Sequence, residues 1–175
     1  MASRATVISV EEYLSEVYQP DCDYVDGHLE ERNLGELDHS WLQMALIVFF
    51  HARRKEWNIV VLPAQRVQVK STRYRVPDVC VLLSPKPTEQ ILTRPPFICI
   101  EILSPEDHWI RVEARIADYL DMGVSYVWVL DPQSYQAYAA TAAEGLREVK
   151  NGILRTENPV LEVPLSRSFR LNLPV

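Results

Sequence analysis

The chain has 175 residues, 47% hydrophobic and 24% charged, with a formal net charge of −6 and a pI of about 5.2. This length fits one domain, residues 1–175, large enough to bury roughly two-thirds of its unfolded surface around one core. The balance excludes a disordered or fibrous chain and argues against non-specific coating of nucleic acid by bulk positive charge, while leaving room for a locally basic groove.

In chain order, Val10–Tyr18 reads as a short helix with Ser9 as N-cap and Glu11 and Glu12 in its first turn. Asp26-Gly27 is a turn signal between short extended stretches, Asp23–Val25 and His28–Arg32. Gly35–Trp57 is predicted to be a long helix, with Trp41, Ala45, Val48, Phe49 and Ala52 as its apolar stripe. The period then changes. Ile59–Leu62 and Gln65–Val69 read as strands, and the nearly continuous apolar runs Val76–Leu83 and Phe97–Leu103 as strands buried on both faces. A proline-rich loop, Ser84–Pro96, joins those two. Pro105–Met122 is predicted helical through Val112, Ile116, Tyr119 and Leu120, with Gly123 as its C′ residue. Ser125–Leu130 is another central strand, closed by Asp131-Pro132, where Asp131 caps a turn. Tyr135–Val175 reads as short strands with turns at Glu144-Gly145 and Asn151-Gly152. The fold class is α/β (α+β): a mixed β-sheet flanked by helices, with a core over about 10–132 and an antiparallel C-terminal extension over 133–175.

No apolar run approaches the roughly 20 residues of a membrane helix, and MASRATVISVEEYL lacks the apolar centre of a secretory signal. Cys22, Cys80 and Cys99 form no CxxC pair. Their odd number points to a reducing, cytoplasmic setting, and Cys80 and Cys99, inside apolar runs, read as small buried hydrophobes. The four histidines do not cluster with them, which argues against structural zinc. Three basic clusters, Arg53–Arg54–Lys55, Lys70–Arg73–Arg75 and Arg111–Arg115, read as solvated faces.

Two carboxylates break the apolar pattern. Glu101 interrupts FICIEIL, and alternation puts Cys99, Glu101 and Leu103 on the face opposite Ile98, Ile100 and Ile102. A carboxylate at such depth must be paired, protonated or metal-bound. Asp78 follows Pro77 at the entry of the other apolar strand. Singly, Glu101 could be ion-paired to Arg111 or Arg115, and Asp78 could lie at an exposed strand entry. Together on adjacent strands, they could hold one hard cation such as magnesium, with several retained waters. Arg111 and Arg115, four residues apart, share a helix face where a guanidinium would suit a phosphodiester; the alternative is a solvated face that also carries Asp118.

The ordered series Val76-Pro77-Asp78-Val79, Ile100-Glu101-Ile102-Leu103-Ser104-Pro105, a helix ending Tyr119…Gly123-Val124, and Tyr126-Val127-Trp128-Val129-Leu130-Asp131-Pro132 resembles the Uma family of restriction endonucleases, a branch of the PD-(D/E)XK nuclease superfamily. The resemblance runs from about Val10 to Pro132 and includes Asp26-Gly27 and a helix carrying His39. It implies a restriction-endonuclease-like fold, and an endonuclease in which Asp78 and Glu101 hold magnesium (or manganese) for in-line attack of water on a DNA phosphodiester. The superfamily lysine two residues after the second carboxylate is Leu103 here. The family shifts that lysine to the following helix, where Arg115 stands, keeping the positive charge without serving as a base. His28 replaces the family's glutamate after Asp-Gly, with Asp23 and Glu30 as acidic substitutes. His39, near the start of its helix, could reach the site but is expected to hydrogen-bond locally, Trp128 to be core, and Lys70 either to supply an ammonium beside Asp78 or to face solvent. DNA is the implied partner and a homodimer fits a nuclease acting on both strands. The alternative is a nuclease fold that binds or assembles without catalysis, or one in which Glu101 and Arg115 form a purely structural salt bridge.

Overall fold

The computed structural model describes residues 7–33 and 35–165. The first element is α1 (Val10–Ser15), where Ser9 Oγ accepts the Glu12 N–H at 3.1 Å. It stops short of the expected Tyr18, and Tyr18 stacks on Tyr13 instead, with ring centroids 5.8 Å apart. β1 (Cys22–Val25) and β2 (His28–Glu31) form a hairpin through Asp26-Gly27. Both turn residues have positive φ, 50° and 93°, as a two-residue hairpin of this hand requires. A Cβ at Gly27 would also come within 2.5 Å of Val7 Cγ1, so the position is closed to other residues.

α2 (Leu37–Arg53) lies within the expected helix but turns a different face inward: Leu42, Ala45, Leu46, Phe49 and Phe50 are buried. Trp41 is 54% exposed and Val48 40%, and Ala52 is exposed. Ala45 and Phe49 satisfy both spacings, so periodicity alone did not separate the two stripes.

After β3 (Ile59–Pro63) come β4 (Val67–Lys70), β5 (Arg73–Arg75), β6 (Val79–Leu83), β7 (Ile98–Ile102), α3 (Trp109–Met122) and β8 (Tyr126–Asp131). Gly123, at φ 104°, ends α3 as expected. β9 (Gln136–Thr141) and β10 (Gly145–Glu148) pair as a hairpin, and β11 (Ile153–Arg155) pairs with β12 (Glu162–Pro164). The expected tail beyond residue 165 lies outside the described residues.

The strands form two main sheets rather than one. The central sheet has the order β10-β9-β8-β7-β6-β3 and is mixed: β7 and β8 are parallel, joined by the α3 crossover, and its other pairs are antiparallel. A second, antiparallel sheet has the order β2-β1-β5-β4. β9 and β10 extend the central sheet, so residues after 132 belong to the same core. One face of the central sheet (Val79, Val81, Ile98, Ile100, Ile102, Trp128) packs under α2, with Leu154, Leu161 and Val163 from the C-terminal hairpin. The other (Cys80, Cys99, Val127, Val129) packs under α3 through Val112, Ile116 and Tyr119, with Val67 and Val69 of β4. The alternation expected for β7 is therefore the one observed, and Trp128 is core. Tyr13, Tyr24 and Tyr74 form a separate cluster beneath α1.

The sequence reading missed β5. It also placed Arg75 in solvent, whereas Arg75 is buried among carboxylates. Its Nη1 bonds Asp23 Oδ2 at 3.0 Å and Glu30 Oε2 at 2.7 Å, and its Nη2 lies 2.8 Å from Asp118 Oδ2. Asp118, expected on a solvated face, is buried there and also receives Arg73 Nη1 at 2.9 Å. These ion pairs tie β1, β2 and β5 to α3.

Candidate active site

Asp78 stands where the chain leaves one sheet for the other. β5 ends at Arg75, Val76-Pro77 cross the gap, and β6 begins at Val79. The junction is fixed by hydrogen bonds: Val76 N–H donates to Asp23 Oδ1 (2.9 Å), Ala64 N–H to the Asp78 carbonyl (3.0 Å), and Gln43 Nε2 to that same carbonyl (2.8 Å). β6 and β7 pair with Val79 opposite Ile100. Continued by one step, that register puts Asp78 across from Glu101, where side chains share a face. Both carboxylates line one small cavity together with Arg32, Asn33, His39, Ile102, Ser104, Asp107 and Arg115. Its volume, ≈ 20 Å³, is enough for one water-sized particle.

The two carboxyls are held differently. Asp78 Oδ2 accepts the Ile102 N–H at 2.7 Å, while Oδ1 takes the Arg32 guanidinium and lies 3.4 Å from His39 Nε2. Burial opposes its ionisation, but His39 and Arg32 outweigh burial and hold Asp78 below its usual range. Glu101 Oε1 accepts the Tyr119 hydroxyl at 2.6 Å, and Oε2 lies 3.2 Å from Arg115 Nε. That N–H is not aligned on the oxygen and makes no hydrogen bond. Burial, opposed by Arg115 and reinforced by Asp78, pushes Glu101 from its ordinary 4.5 to about 7. His39 is held above its ordinary value: burial disfavours its charge, and Asp78 more than compensates.

Glu101→Gln is expected to flatten part of the pH dependence of stability. Because the folded-state pKa is raised, the stability tied to protonated Glu101 is complete below about 4.5 and is lost as pH rises through about 7. Urea unfolding should show the variant gaining on the wild type by roughly 2–3 kcal/mol between pH 5 and pH 8. An equal difference at both pH values would contradict the shift.

Of the residues singled out from the sequence, Asp78, Glu101 and Arg115 meet in this cavity, and the Glu101–Arg115 pair offered as a structural alternative is present. His39 reaches Asp78 from the first turn of α2, the alternative to the local bond that was expected of it. Arg111 is exposed and does not line the cavity: it sits a turn closer to the start of α3 than Arg115. Lys70 pairs with Asp118 (3.6 Å) and Asp121 (3.2 Å), away from Asp78. His28 is exposed at the hairpin, and Asp23 and Glu30 serve Arg75. The Asp107-His108 segment precedes α3 without a side-chain cap from His108; Asp107 instead accepts the Ser104 N–H and, at 3.1 Å, Arg115 Nη2. Arg32, Gln43 and the Tyr119 hydroxyl went unnoticed in sequence. Arg32 is 46 residues from Asp78, and no spacing rule connects them.

Two carboxylates on a cavity of this size fit a small hard cation. No group of three or more His, Cys, Asp and Glu side chains is disposed to cage a metal among the described residues. A cation here would take much of its shell from water, backbone or substrate oxygen, as magnesium commonly does. The cavity is also ringed by Arg32, His39 and Arg115, a cationic rim on an acidic body.

The sequence matches the family model described as "Uma2: Putative restriction endonuclease" over residues 10–174. A solved structure from Anabaena variabilis ATCC 29413, described as "a putative nuclease belonging to DUF820", superposes with a TM-score of 0.74 at 20% identity, covering 85% of this chain and 88% of that one. At that identity the likeness is one of fold. No curated protein matches the sequence.

Proposed function

The chain belongs to the Uma2 family, and from that premise we propose that it is a magnesium-dependent endonuclease that hydrolyses DNA phosphodiester bonds at the Asp78–Glu101 cavity. The observation that carries this reading is the opposition of those two carboxylates at adjacent strand ends, beside Arg115. Asp78 and Glu101 would hold the ion, whose chemistry is to activate water and neutralise charge developing on the phosphate. The protein supplies the rest. Ile102 N–H orients Asp78, and Gln43 fixes the backbone that carries it. Tyr119 orients Glu101. Arg115, whose Nε–H makes no hydrogen bond among the described residues, provides a guanidinium for the crowded phosphate oxygens in the transition state. The test is cleavage of duplex DNA by the intact chain with and without magnesium, with Asp78→Asn and Glu101→Gln as controls. DNA binding without cleavage would favour the binding-module alternative. A cytoplasmic location agrees with three buried, unpaired cysteines, and no helix among the described residues is long and apolar enough to cross a membrane.

A homodimer through α2 is part of the same proposal. Leu37, Trp41, Met44 and Val48 are exposed at three- and four-residue spacing, a continuous apolar stripe facing away from the core. A second copy laid antiparallel about the helix centre buries this stripe on itself. It also sets Glu36 and Asp38 at one end toward His51 and Arg54 at the other. Sedimentation should find a dimer that Trp41→Glu/Met44→Glu converts to a folded monomer. A dimer that persists in this variant, or a monomeric wild type, would refute the interface.

A further inference from the structure

Arg32 and Arg115 line this cavity, Arg75 lies outside its lining, and the three are held unequally. Arg75 is enclosed by Asp23, Glu30 and Asp118. Arg115 is placed between Glu101 and Asp107. Arg32 has one anchor: among the described residues its guanidinium hydrogen-bonds only Asp78 Oδ1, and its side chain is 19% exposed. Its backbone is better fixed, since the Arg32 N–H donates to the Asp21 carbonyl at 3.0 Å just beyond β2. The side chain can therefore swing from a steady base.

The oxygen it covers matters. Asp78 Oδ2 is committed to the Ile102 N–H, which leaves Oδ1 as the oxygen toward the cavity. Oδ1 already receives Arg32 and has His39 Nε2 at 3.4 Å. Oδ1 has two lone pairs, and with Arg32 and His39 both directed at it a divalent ion competes with them for the oxygen and is repelled by the guanidinium charge. An ion that takes Oδ1 competes with Arg32, and its apparent affinity falls by the fraction of molecules in which Arg32 holds the oxygen. A displaced guanidinium remains beside the cavity mouth with all its side-chain donors free, and a phosphodiester is a matching acceptor for its planar fork.

We propose that Arg32 is a two-position cation: it neutralises Asp78 in the resting site, and when a divalent ion takes that oxygen it turns to the DNA phosphate. This rests on the reading of Asp78 as an ion ligand. In the resting position Arg32 competes with the ion; in the other it binds substrate.

The experiment pairs two measurements on the full chain. Manganese binding is followed by calorimetry, and duplex DNA binding by fluorescence anisotropy in calcium at fixed ionic strength. Arg32→Met should bind manganese about tenfold more tightly than the wild type while binding duplex about tenfold more weakly. Arg32→Gln carries the same expectation if the methionine variant does not fold. Unchanged or weaker manganese binding would overturn the inference, as would unchanged DNA binding. Manganese binding that survives Asp78→Asn in the wild-type background would instead remove the ion-site reading itself, and the Arg32 inference with it.

Discussion

Asp78→Asn is expected to reduce magnesium-dependent cleavage of duplex DNA by about 10³-fold, the scale associated with losing one preorganised electrostatic group at a reacting centre. The side chains are nearly isosteric, and Asn retains an oxygen to accept the Ile102 N–H. What disappears is the negative charge that Arg32 and His39 help keep ionised. Glu101→Gln should have a comparable effect, and the double variant little more than either, because two ligands of one ion act as a unit. Thermal unfolding distinguishes lost chemistry from lost fold: a variant that melts near the wild-type temperature and does not nick DNA supports the site. Cleavage within about threefold of wild type in both single variants, against the 10³-fold scale above, would remove these carboxylates from the mechanism.

Arg75→Met is expected to destabilise the fold by about 3–5 kcal/mol in urea titration, the usual result of removing one partner from a buried ion pair. Asp118 keeps Arg73 and Lys70 nearby. Asp23 is worse placed, since among the described residues it keeps only the Val76 N–H at 2.9 Å as a hydrogen-bond donor, with Arg32 and Arg115 acting from farther off. Burial already pushes the Asp23 carboxyl upward, and Arg75 is the leading influence opposing it. Without the guanidinium Asp23 should protonate more readily, so the deficit of the variant should shrink as pH falls. Arg75→Met/Asp23→Leu should recover part of the loss, because an apolar replacement leaves no uncompensated charge. A single variant as stable as the wild type would mean that the buried network contributes little.

The central strands and the two principal carboxylates were legible because they contrast with their surroundings. Val79–Leu83, Ile98–Ile102 and Tyr126–Asp131 are apolar runs, and Glu101 is conspicuous within one of them. β5 offers no such contrast. Arg73-Tyr74-Arg75 lacks apolar alternation, and Arg75 is buried only because carboxylates from β1, β2 and α3 close around it. A charged residue whose burial depends on partners 43 to 52 residues away reads as a surface residue until the fold assembles them. The same reason hid Arg32 and the burial of Asp118. His39 is intermediate: its helix was readable, but its reach to Asp78 depends on how α2 crosses the end of the sheet.

The passage of the chain through Val76-Pro77-Asp78 mounts one acidic group of the pair on the joint between two bodies of β-structure, the small antiparallel sheet and the central sheet, which meet in the core beneath α3 through β4, while Glu101 is embedded wholly in one. Any slippage between those bodies would therefore move one carboxyl relative to its counterpart. Substitutions far from the cavity, in the tyrosine cluster beneath α1 or at the Asp23–Arg75 contact, should show up as altered ion affinity before they show up as unfolding. The alignment of the pair is in that sense a readout of how the halves of the molecule seat against each other.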